Sequence, residues 1–387
     1  MGQWFQLSGR RGVFCGVACL LAASTLSPAT ASASDRYIVV LQDGTPNPGE
    51  VAREHQQRAG VDPGPVYRHA LKGYVGTFPR GRVDALRRDK RVAYVERDSR
   101  VHAVGQNLPW GVNKVDADRS STLAGNGSGT VTPAHAFVLD TGIYRHADLN
   151  VINHVNFAGG SNGDCNGHGT HVAGTLAAKD NASTVVGVGP GTRLTGVKVL
   201  DCEGSGSSSD VIAGIDYVTR RAPYTSGPDV ANMSLSGTPS QAMDDAVRRS
   251  AASGVFYAVA AGNDGSGACR KSPARAGAGT VNGIATVAAT GPLDREASFS
   301  NYGTCVDIWA PGVSIPSTRR GGGTTTMSGT SMSTPHVAAG AALYLSRSPG
   351  TPVGVEGKLK SSAKSTATRS KDGRFIRRLN VGGGAGF

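Results

Sequence analysis

The feature that most constrains the fold is the alternation of short apolar runs with helix-like segments from about Gly105 onward. The apolar runs are rich in small and β-branched residues, as in 136–139, 196–200 and 255–260. Runs that are apolar on both faces are typical of strands that are covered from both sides. The pattern therefore predicts an α/β fold in which a mainly parallel sheet lies between two layers of helices.

Polar residues stand at the ends of these predicted elements. The predicted strands are 136–139, 196–200, 230–235, 255–260 and 284–289, and the predicted helices are 171–178, 210–220, 243–253 and 331–345. Asp140 and Asn263 directly follow two strands, whereas His171 and Ser331 begin two helices. Because ligands of open α/β sheets bind beyond the carboxyl ends of the strands, we expect a functional site at that edge.

The segment from about Asp35 to Val104 has a separate pattern. Its predicted strands are 37–41, 73–78 and 92–95, and its predicted helices are 50–59 and 83–91. A unit of about 70 residues buries too little apolar surface for much stability of its own. We therefore predict a small α+β unit that folds best against a partner.

The N-terminus is typical of an export signal. Arg10 and Arg11 precede an apolar run over 13–26, and small-x-small cleavage patterns follow at 29–31 and 31–33. The apolar run is too short to span a bilayer comfortably, and no later segment is long and apolar enough. We predict a secreted, extracellular protein with no membrane association after the signal is removed.

The net charge of +12 raises the question of nucleic-acid binding, because clustered Lys and Arg attract phosphate. The basic residues are dispersed, however, with no helical stripe and no stacking aromatics between them. Many lie in the first hundred residues, as at 87–91, in a segment that we expect to be removed. We therefore predict a solvated surface and no nucleic-acid partner.

Three short motifs carry chemistry: Asp-Thr-Gly at 140–142, His-Gly-Thr-His at 168–171 and Gly-Thr-Ser-Met-Ser-Thr-Pro at 329–335. A serine hydroxyl is a weak nucleophile that needs an adjacent base, and histidine suits that task near neutral pH. A carboxylate on the far side of the imidazole fixes its tautomer. We assign these roles to Ser331, His171 and Asp140, and interpret His168 as structural.

Competing functions fit the same residues less well. An α/β-hydrolase esterase needs G-x-S-x-G and places its histidine last, but the motif at 329–333 lacks the second glycine. A non-catalytic binding protein on the same scaffold would be expected to have lost a triad member, and none is missing. A nucleotide-binding loop at 187–191 is disfavoured by Pro190 and by the absent third glycine.

The chain order Asp, His, Ser resembles that of the subtilisin-like serine proteases, and the motifs look closest to the proteinase K branch. The resemblance extends from about Tyr37 to the C-terminus, and its most specific stretches are 138–142, 166–174 and 328–340. It implies a three-layer subtilisin-like α/β fold with a mainly parallel central sheet. A small ferredoxin-like α+β propeptide precedes that fold.

The resemblance also implies how the chain is divided and processed. Residues 1–33 would be the signal peptide, 34–102 a propeptide that assists folding and inhibits the active site, and 103–387 the peptidase domain. We expect the precursor to cut itself near 102–106. The mature protein is then expected to be a monomer whose partners are polypeptide substrates and its own propeptide.

The same resemblance implies the reaction. Ser331 would attack the scissile carbonyl, His171 would take and return the proton, and Asp140 would orient His171. Asn263 would donate its amide to the oxyanion beside the Ser331 N–H. The expected activity is that of a broadly specific serine endopeptidase that forms an acyl-enzyme and needs no cofactor for catalysis.

Two glycine- and serine-rich segments match the family's substrate-binding strands. Extended peptide would pair with both segments by strand addition, so that backbone hydrogen bonds give affinity. One apolar pocket would set the preference. The implied substrate-binding residues are Gly204, Ser205, Gly206, Ser234, Leu235, Ser236 and Gly237.

Six cysteines are present, and Cys15 and Cys19 would leave with the signal. An even number in an exported chain favours disulfides, but spacing alone leaves three pairings and free thiols open. No C-x-x-C pair supports zinc. The resemblance implies the bridges Cys165–Cys202 and Cys269–Cys305.

The family also binds structural calcium, and Asp307 matches a ligand position. One carboxylate is too few for an ion that takes 6–8 oxygen ligands, so backbone carbonyls would have to complete the site. The resemblance thus predicts a structural Ca²⁺ with Asp307 among its ligands.

Overall fold

The computed structural model describes residues 34–98, 106–279, 281–383 and 386–387. The chain divides into two units, Met1–His102 and Ala103–Phe387. The predicted signal peptide and residues 102–105 of the predicted maturation segment lie outside the described residues. Within the described ranges, no helix is both long enough and apolar enough to cross a bilayer.

The first unit is a four-stranded antiparallel sheet packed against helices. Its elements are β1 (Ser34–Leu41), α1 (Pro48–Ala59), β2 (Asp62–Tyr67), β3 (Gly73–Pro79), α2 (Val83–Arg87) and β4 (Val92–Arg97). The strand order is β2-β3-β1-β4, and Val39, Tyr74 and Phe78 are fully buried in its core. This is the small antiparallel α+β unit that the sequence predicts.

Strand β2 was not predicted, because its sequence Asp-Pro-Gly-Pro-Val-Tyr contains two prolines and a glycine. Proline cannot donate to a strand ladder and is confined to edges, and β2 lies at the edge of the sheet. Its position explains why it forms despite its composition.

The second unit is built on a nine-stranded sheet with the order β14-β15-β11-β10-β9-β8-β5-β7-β6. Its strands are β5 (His135–Asp140), β6 (Val151–Asn156), β7 (Arg193–Lys198), β8 (Asp229–Met233), β9 (Phe256–Ala260), β10 (Ile284–Thr290), β11 (Ile308–Pro311), β14 (Lys364–Arg369) and β15 (Phe375–Arg378). All neighbouring strands are parallel except β14 and β15. A separate hairpin joins β12 (Ile315–Thr318) to β13 (Thr324–Met327).

Helices cover both faces of this sheet. They are α3 (Trp110–Lys114), α4 (His168–Ala177), α5 (Ser208–Arg221), α6 (Gln241–Ala252), α7 (Thr330–Arg347) and α8 (Pro352–Ser362). Alternate residues of β5 enter different cores: Val138 packs in the cluster that contains residues of α4 and α7, and Leu139 in the one that contains residues of α5 and α6. This period of two confirms the predicted three-layer arrangement with a mainly parallel sheet.

Several helices begin one to three residues earlier than predicted, and the starts of α5 and α4 show the physical reason most clearly. Helix α5 begins after Ser207, whose side chain accepts from the backbone of Asp210 in a capping box, so the helix starts two residues before the predicted start at 210. Helix α4 begins at His168, three residues before the predicted start at His171. The second difference changes which histidine stands at the helix terminus.

Candidate active site

The predicted functional residues meet at the carboxyl edge of the nine-stranded sheet. Asp140 is the last residue of β5, Asn263 follows β9, and Ser331 lies in the first turn of α7. A groove of about 740 Å³ opens at this edge and is lined by His168, Asn263 and Ser331. Parallel strands and the helices between them therefore bring together residues that are far apart in sequence.

His168, rather than His171, is the histidine that pairs with Asp140. The Nδ1 atom of His168 lies 2.7 Å from Oδ1 of Asp140, which also accepts from the backbone of Thr141. The Asp140 side chain is buried, whereas 26% of the His168 side chain is exposed. His168 therefore combines a buried carboxylate partner with access to the groove.

The structure contradicts the assignment of His171 to this place. Its side chain is fully buried, and Nε2 donates to the carbonyl of Ile315 at 2.9 Å. Burial lowers the pKa of His171 to about 4, so the ring is neutral at neutral pH. His171 is thus a core residue that joins α4 to β12, and the structural interpretation made for His168 belongs to His171 instead.

The loop before α4 is organised by Asp164, which the sequence analysis did not single out. One carboxylate oxygen accepts from the backbone of Asn166 and Gly167 and from Thr141 Oγ1, and the other accepts from Thr170. An acidic side chain just ahead of a helix that satisfies backbone N–H groups is a helix-start signal. That signal could have placed the start of α4 at His168.

The charge on Asp140 determines the proton affinity of His168. Burial alone lowers the pKa of His168, but the charge of Asp140 and its hydrogen bond outweigh burial and raise that pKa above the ordinary value. An imidazole held in this way keeps Nε2 available for proton transfer while Nδ1–H is fixed on the carboxylate.

Ser331 is positioned by the segment that follows β8. Its hydroxyl donates to the carbonyl of Ser234 at 3.1 Å, and the Ser234 hydroxyl donates to the carbonyl of Ser331 at 2.8 Å. Ser331 is the second residue of α7, so its backbone N–H is one of the first four that lack an intrahelical partner. The helix terminus therefore presents an N–H donor beside the hydroxyl.

Asn263 is oriented by Thr330. Its Oδ1 accepts from the Thr330 backbone N–H at 2.8 Å and from the Thr330 hydroxyl at 2.9 Å. The Thr330 hydroxyl in turn accepts from the backbone of Gly262. Because the carbonyl oxygen is occupied in this way, the amide N–H₂ of Asn263 is left for the groove that the residue lines.

The seven predicted substrate-binding residues all line the groove that holds Ser331. One wall is the segment Ser234–Gly237, and Gly237 forms an isolated antiparallel bridge with Ser272. The other wall contains Gly204–Gly206, where a Cβ added to Gly206 would lie 2.2 Å from the carbonyl of Val199. A glycine is therefore required for the close backbone approach at that position.

Charged residues also line this groove, which the prediction of one apolar pocket did not include. Lys271 Nζ lies 3.0 Å from Oδ2 of Asp264, and both residues are partly exposed. The hydrogen bond from Lys271 lowers the pKa of Asp264. Lys271 is next to Ser272, which pairs with Gly237, and Asp264 directly follows Asn263, so the ion pair connects two segments of the groove lining.

Two disulfides, Cys165–Cys202 and Cys269–Cys305, are those that the family resemblance implies. The first joins the loop before α4 to the segment that leads to Gly204. The second joins the loop after β9 to the residues before β11. Both bridges therefore hold loops at or near the groove edge of the sheet.

The residues around Asp307 do not fit a calcium ion. Its Oδ1 accepts from Lys360 Nζ at 2.8 Å, and its Oδ2 accepts from the backbone of Thr286 at 2.9 Å. An ammonium group thus occupies the position beside the carboxylate that a cation would take. In the described ranges, no cluster of three or more His, Cys, Asp and Glu side chains is arranged to hold a metal. The assignment of Asp307 as a calcium ligand is therefore wrong.

Comparison with known proteins identifies the family. The profile of the Subtilase family matches residues 137–382, and that of the peptidase inhibitor I9 family matches residues 36–103. An extracellular serine proteinase of Thermus sp. (strain Rt41A) is 46% identical over 298 residues, which cover 72% of this chain and 68% of that protein.

A second relative matches more of the chain, and a solved structure matches a similar share of it. Subtilisin-like protease 7 of Arthroderma benhamiae is 38% identical over 380 residues, covering 92% of this chain and 88% of that protein. The crystal structure of a cold adapted subtilisin-like serine proteinase superposes with a TM-score of 0.63 at 39% identity, over 71% of this chain and 98% of that chain.

Proposed function

Because the chain belongs to the subtilase family of serine proteases and carries an I9 inhibitor propeptide, we propose that it is a secreted endopeptidase with the triad Asp140, His168 and Ser331. The observation that carries the assignment is the 2.7 Å contact between Asp140 and His168 beside the groove that Ser331 lines. With His168 in place of His171, the three residues keep the chain order Asp, His, Ser.

The proposed reaction begins when Ser331 leaves the Ser234 carbonyl and turns towards His168. His168 Nε2 accepts the hydroxyl proton as Oγ attacks the scissile carbonyl, and then delivers that proton to the leaving amine. Water next attacks the acyl-enzyme with His168 again as base, which regenerates Ser331. Asp140 orients His168 and stabilises the imidazolium that forms in each half-reaction.

Asn263 and the backbone N–H of Ser331 are the proposed donors to the oxyanion. This role is supported by the two bonds from Thr330, which hold Oδ1 of Asn263 and leave its amide N–H₂ free to donate. Donors fixed before the reaction need no reorganisation when negative charge develops on the carbonyl oxygen.

Polypeptide is the proposed substrate, bound as an extended strand between Gly204–Gly206 and Ser234–Gly237. Backbone pairing recognises any sequence, so it supports broad specificity. The Lys271–Asp264 pair adds a charged contribution to a side-chain preference that is expected to be set mainly by one apolar pocket.

The I9 segment is proposed to inhibit the peptidase until it is removed, with domain limits at 34–102 and 103–387. Secretion is supported by the similarity to the Thermus protein, an extracellular serine proteinase, and by the export-type N-terminal sequence. Asp307 is excluded as a calcium ligand. If the chain binds the structural calcium of its family, we propose that other residues of the peptidase domain hold it. Catalysis is proposed to need no cofactor.

A single labelling experiment tests the assignment. The secreted protein is treated with an organophosphonate probe, and mass spectrometry locates the label and the mature termini. We expect modification of Ser331, its loss in Ser331→Ala, and near-complete loss in His168→Ala, because the serine lacks its base. Casein hydrolysis is measured in parallel. Labelling of another serine, or full labelling in His168→Ala, would overturn the proposed triad.

The Ser331→Ala variant also tests self-processing. We expect it to accumulate as the unprocessed precursor in a host that lacks other extracellular proteases. Normal maturation of this variant in such a host would show that another enzyme removes the propeptide.

A further inference from the structure

The carboxyl-terminal helix α8 is attached to the sheet through a small cluster of charges that plays no part in the proposed reaction. Glu356 and Lys360 lie one turn apart on α8, and Asp307 lies just before β11. Lys360 Nζ contacts Asp307 Oδ1 at 2.8 Å and Glu356 Oε1 at 3.2 Å. One ammonium group therefore bridges two carboxylates that belong to different elements.

Both carboxylates are fully engaged. The second oxygen of Asp307 accepts from Thr286, and the second oxygen of Glu356 accepts from the backbone of Asn282 and Gly283. Glu356 is completely buried, Asp307 is nearly so, and 28% of the Lys360 side chain is exposed. A cation could enter this cluster only by displacing the ammonium group.

The arrangement also requires some cation. Two buried carboxylates this close repel one another, and removing the one positive charge between them would leave that repulsion uncompensated in a poorly solvated place. Burial raises the pKa of Asp307 to about 6 even with Lys360 present. Oxygen ligands of this kind are those that calcium prefers.

We propose that Lys360 is a built-in counter-ion that stands where a calcium ion would otherwise be needed, so that the attachment of α8 to β10 and β11 is independent of calcium. The cluster has a net charge of −1 with the lysine present. Without it, the cluster becomes a doubly negative set of four carboxylate oxygens that attracts a divalent cation. The lysine therefore excludes the metal and supplies its charge.

Thermal unfolding of four proteins tests this inference without any measurement of activity. The wild type, Lys360→Ala, Lys358→Ala and the double variant Lys360→Ala/Asp307→Asn are melted after inactivation by a serine-protease inhibitor, in chelator or in millimolar calcium. Lys358 is the matched control, because it is a lysine of the same helix for which the structure records no ion pair among the described residues.

In chelator we expect Lys360→Ala to melt about 5–15 °C below the wild type, because a buried carboxylate cluster has lost its only cation. Calcium should restore most of that loss. The calcium response of Lys358→Ala should equal that of the wild type, which also corrects for any calcium bound elsewhere. The double variant should lack the extra response, because one of the two carboxylates is gone.

Three results would overturn the inference. Lys360→Ala could melt like the wild type in chelator, which would show that the cluster needs no cation. The wild type could gain as much from calcium as Lys360→Ala, which would show that the lysine does not exclude the metal. Lys360→Ala could be destabilised without recovering in calcium, which would make Lys360 an ordinary ion-pair residue.

Discussion

The first and second turns of the two helices that begin at the groove have opposite properties. In the first turns, His168 and Ser331 line the groove and contact solvent. Within the next turn or two, His171 of α4 and His336 of α7 are fully buried, and each bonds to a backbone carbonyl. Exposure and partners, rather than residue type, therefore decide which histidine can transfer a proton.

The comparison also explains why the pKa values of these histidines shift in opposite directions. Burial lowers the pKa of both His171 and His336 to about 4, so both rings remain neutral. At His168 the charge of Asp140 outweighs burial, and its pKa is raised. The same helix thus holds a histidine that gains a proton readily and, three residues later, one that resists protonation.

The largest expected effect comes from replacing the two histidines of α4 one at a time. We expect His168→Ala to lower kcat by about 10⁶-fold, the loss measured for the corresponding histidine of subtilisin. His171→Gln should keep kcat within about tenfold, because the glutamine amide can still donate to the Ile315 carbonyl. Peptide hydrolysis by both variants checks this. Wild-type propeptide is added in trans so that each variant folds. Equal losses of kcat in the two variants would contradict the distinction between the two turns.

A similar division should separate Asn263, the proposed donor after β9, from Thr330, the α7 residue that positions it. Asn263→Ala should lower kcat by about 10²–10³-fold, a loss measured for the equivalent donor in subtilisin. Thr330→Val should lower kcat by about tenfold with KM unchanged, because the hydroxyl that holds Asn263 is lost. Thr330→Ser keeps that hydroxyl and should recover the activity. Failure of the serine variant to recover would assign Thr330 a packing role only.

The pH dependence of stability should have opposite signs in the two turns. Between pH 6.5 and about 4 the unfolded chain protonates His171 but the folded chain does not, so stability falls as pH falls. His171→Gln should reduce that fall by up to about 3 kcal/mol. For His168, whose pKa is raised, the stabilising contribution is present at low pH and disappears as pH rises through that pKa.

Denaturant unfolding of the inhibited protein at several pH values measures both effects. Asp140→Asn serves as the control for the first turn, because it removes the charge that raises the pKa of His168. An acid-induced loss of stability that is identical in the wild type and His171→Gln would contradict the buried neutral state of His171.

The smallest expected effect concerns charges that face the groove. Lys271→Met should leave Asp264 uncompensated and shift cleavage towards basic substrate side chains by about 3- to 10-fold. Asp264→Asn should shift it towards acidic ones by a similar factor. Both shifts should shrink at high salt, because the pair is partly exposed. The ratios of cleavage rates are measured with pairs of peptides that differ only in the charge of one side chain. Shifts in the same direction for both variants would show that the Lys271–Asp264 ion pair does not select substrates.

Much of this architecture could be predicted from sequence, because it depends on patterns that are local. Apolar runs such as 136–139 and 284–289 form β5 and β10 as expected, and Asp140, Asn263 and Ser331 lie at the predicted edge. The choice between His168 and His171 could not be made in this way. It depended on where α4 begins, and the bonds of Asp164 that determine this were not recognised.

Contacts between residues that are far apart in sequence also could not be predicted from the sequence pattern. Asp307 and Lys360 are far apart in sequence and meet because α8 packs beside β9 and β10, close to the segment that leads into β11. The sequence of the segment that forms α8 gave no sign that Lys360 would occupy the predicted metal position. The error over calcium and the error over the histidine therefore share a cause, which is that partners were assigned before geometry was known.

The bridge between Cys165 and Cys202 affects how the protein can be produced. Cys165 lies just ahead of α4, and Cys202 lies just ahead of Gly204, so one covalent link braces both the base-bearing helix and a border of the groove. Synthesis in a reducing cytosol would leave these as separate thiols. Recombinant material should therefore be directed to an oxidising compartment, and reductants such as dithiothreitol should be kept out of assay buffers.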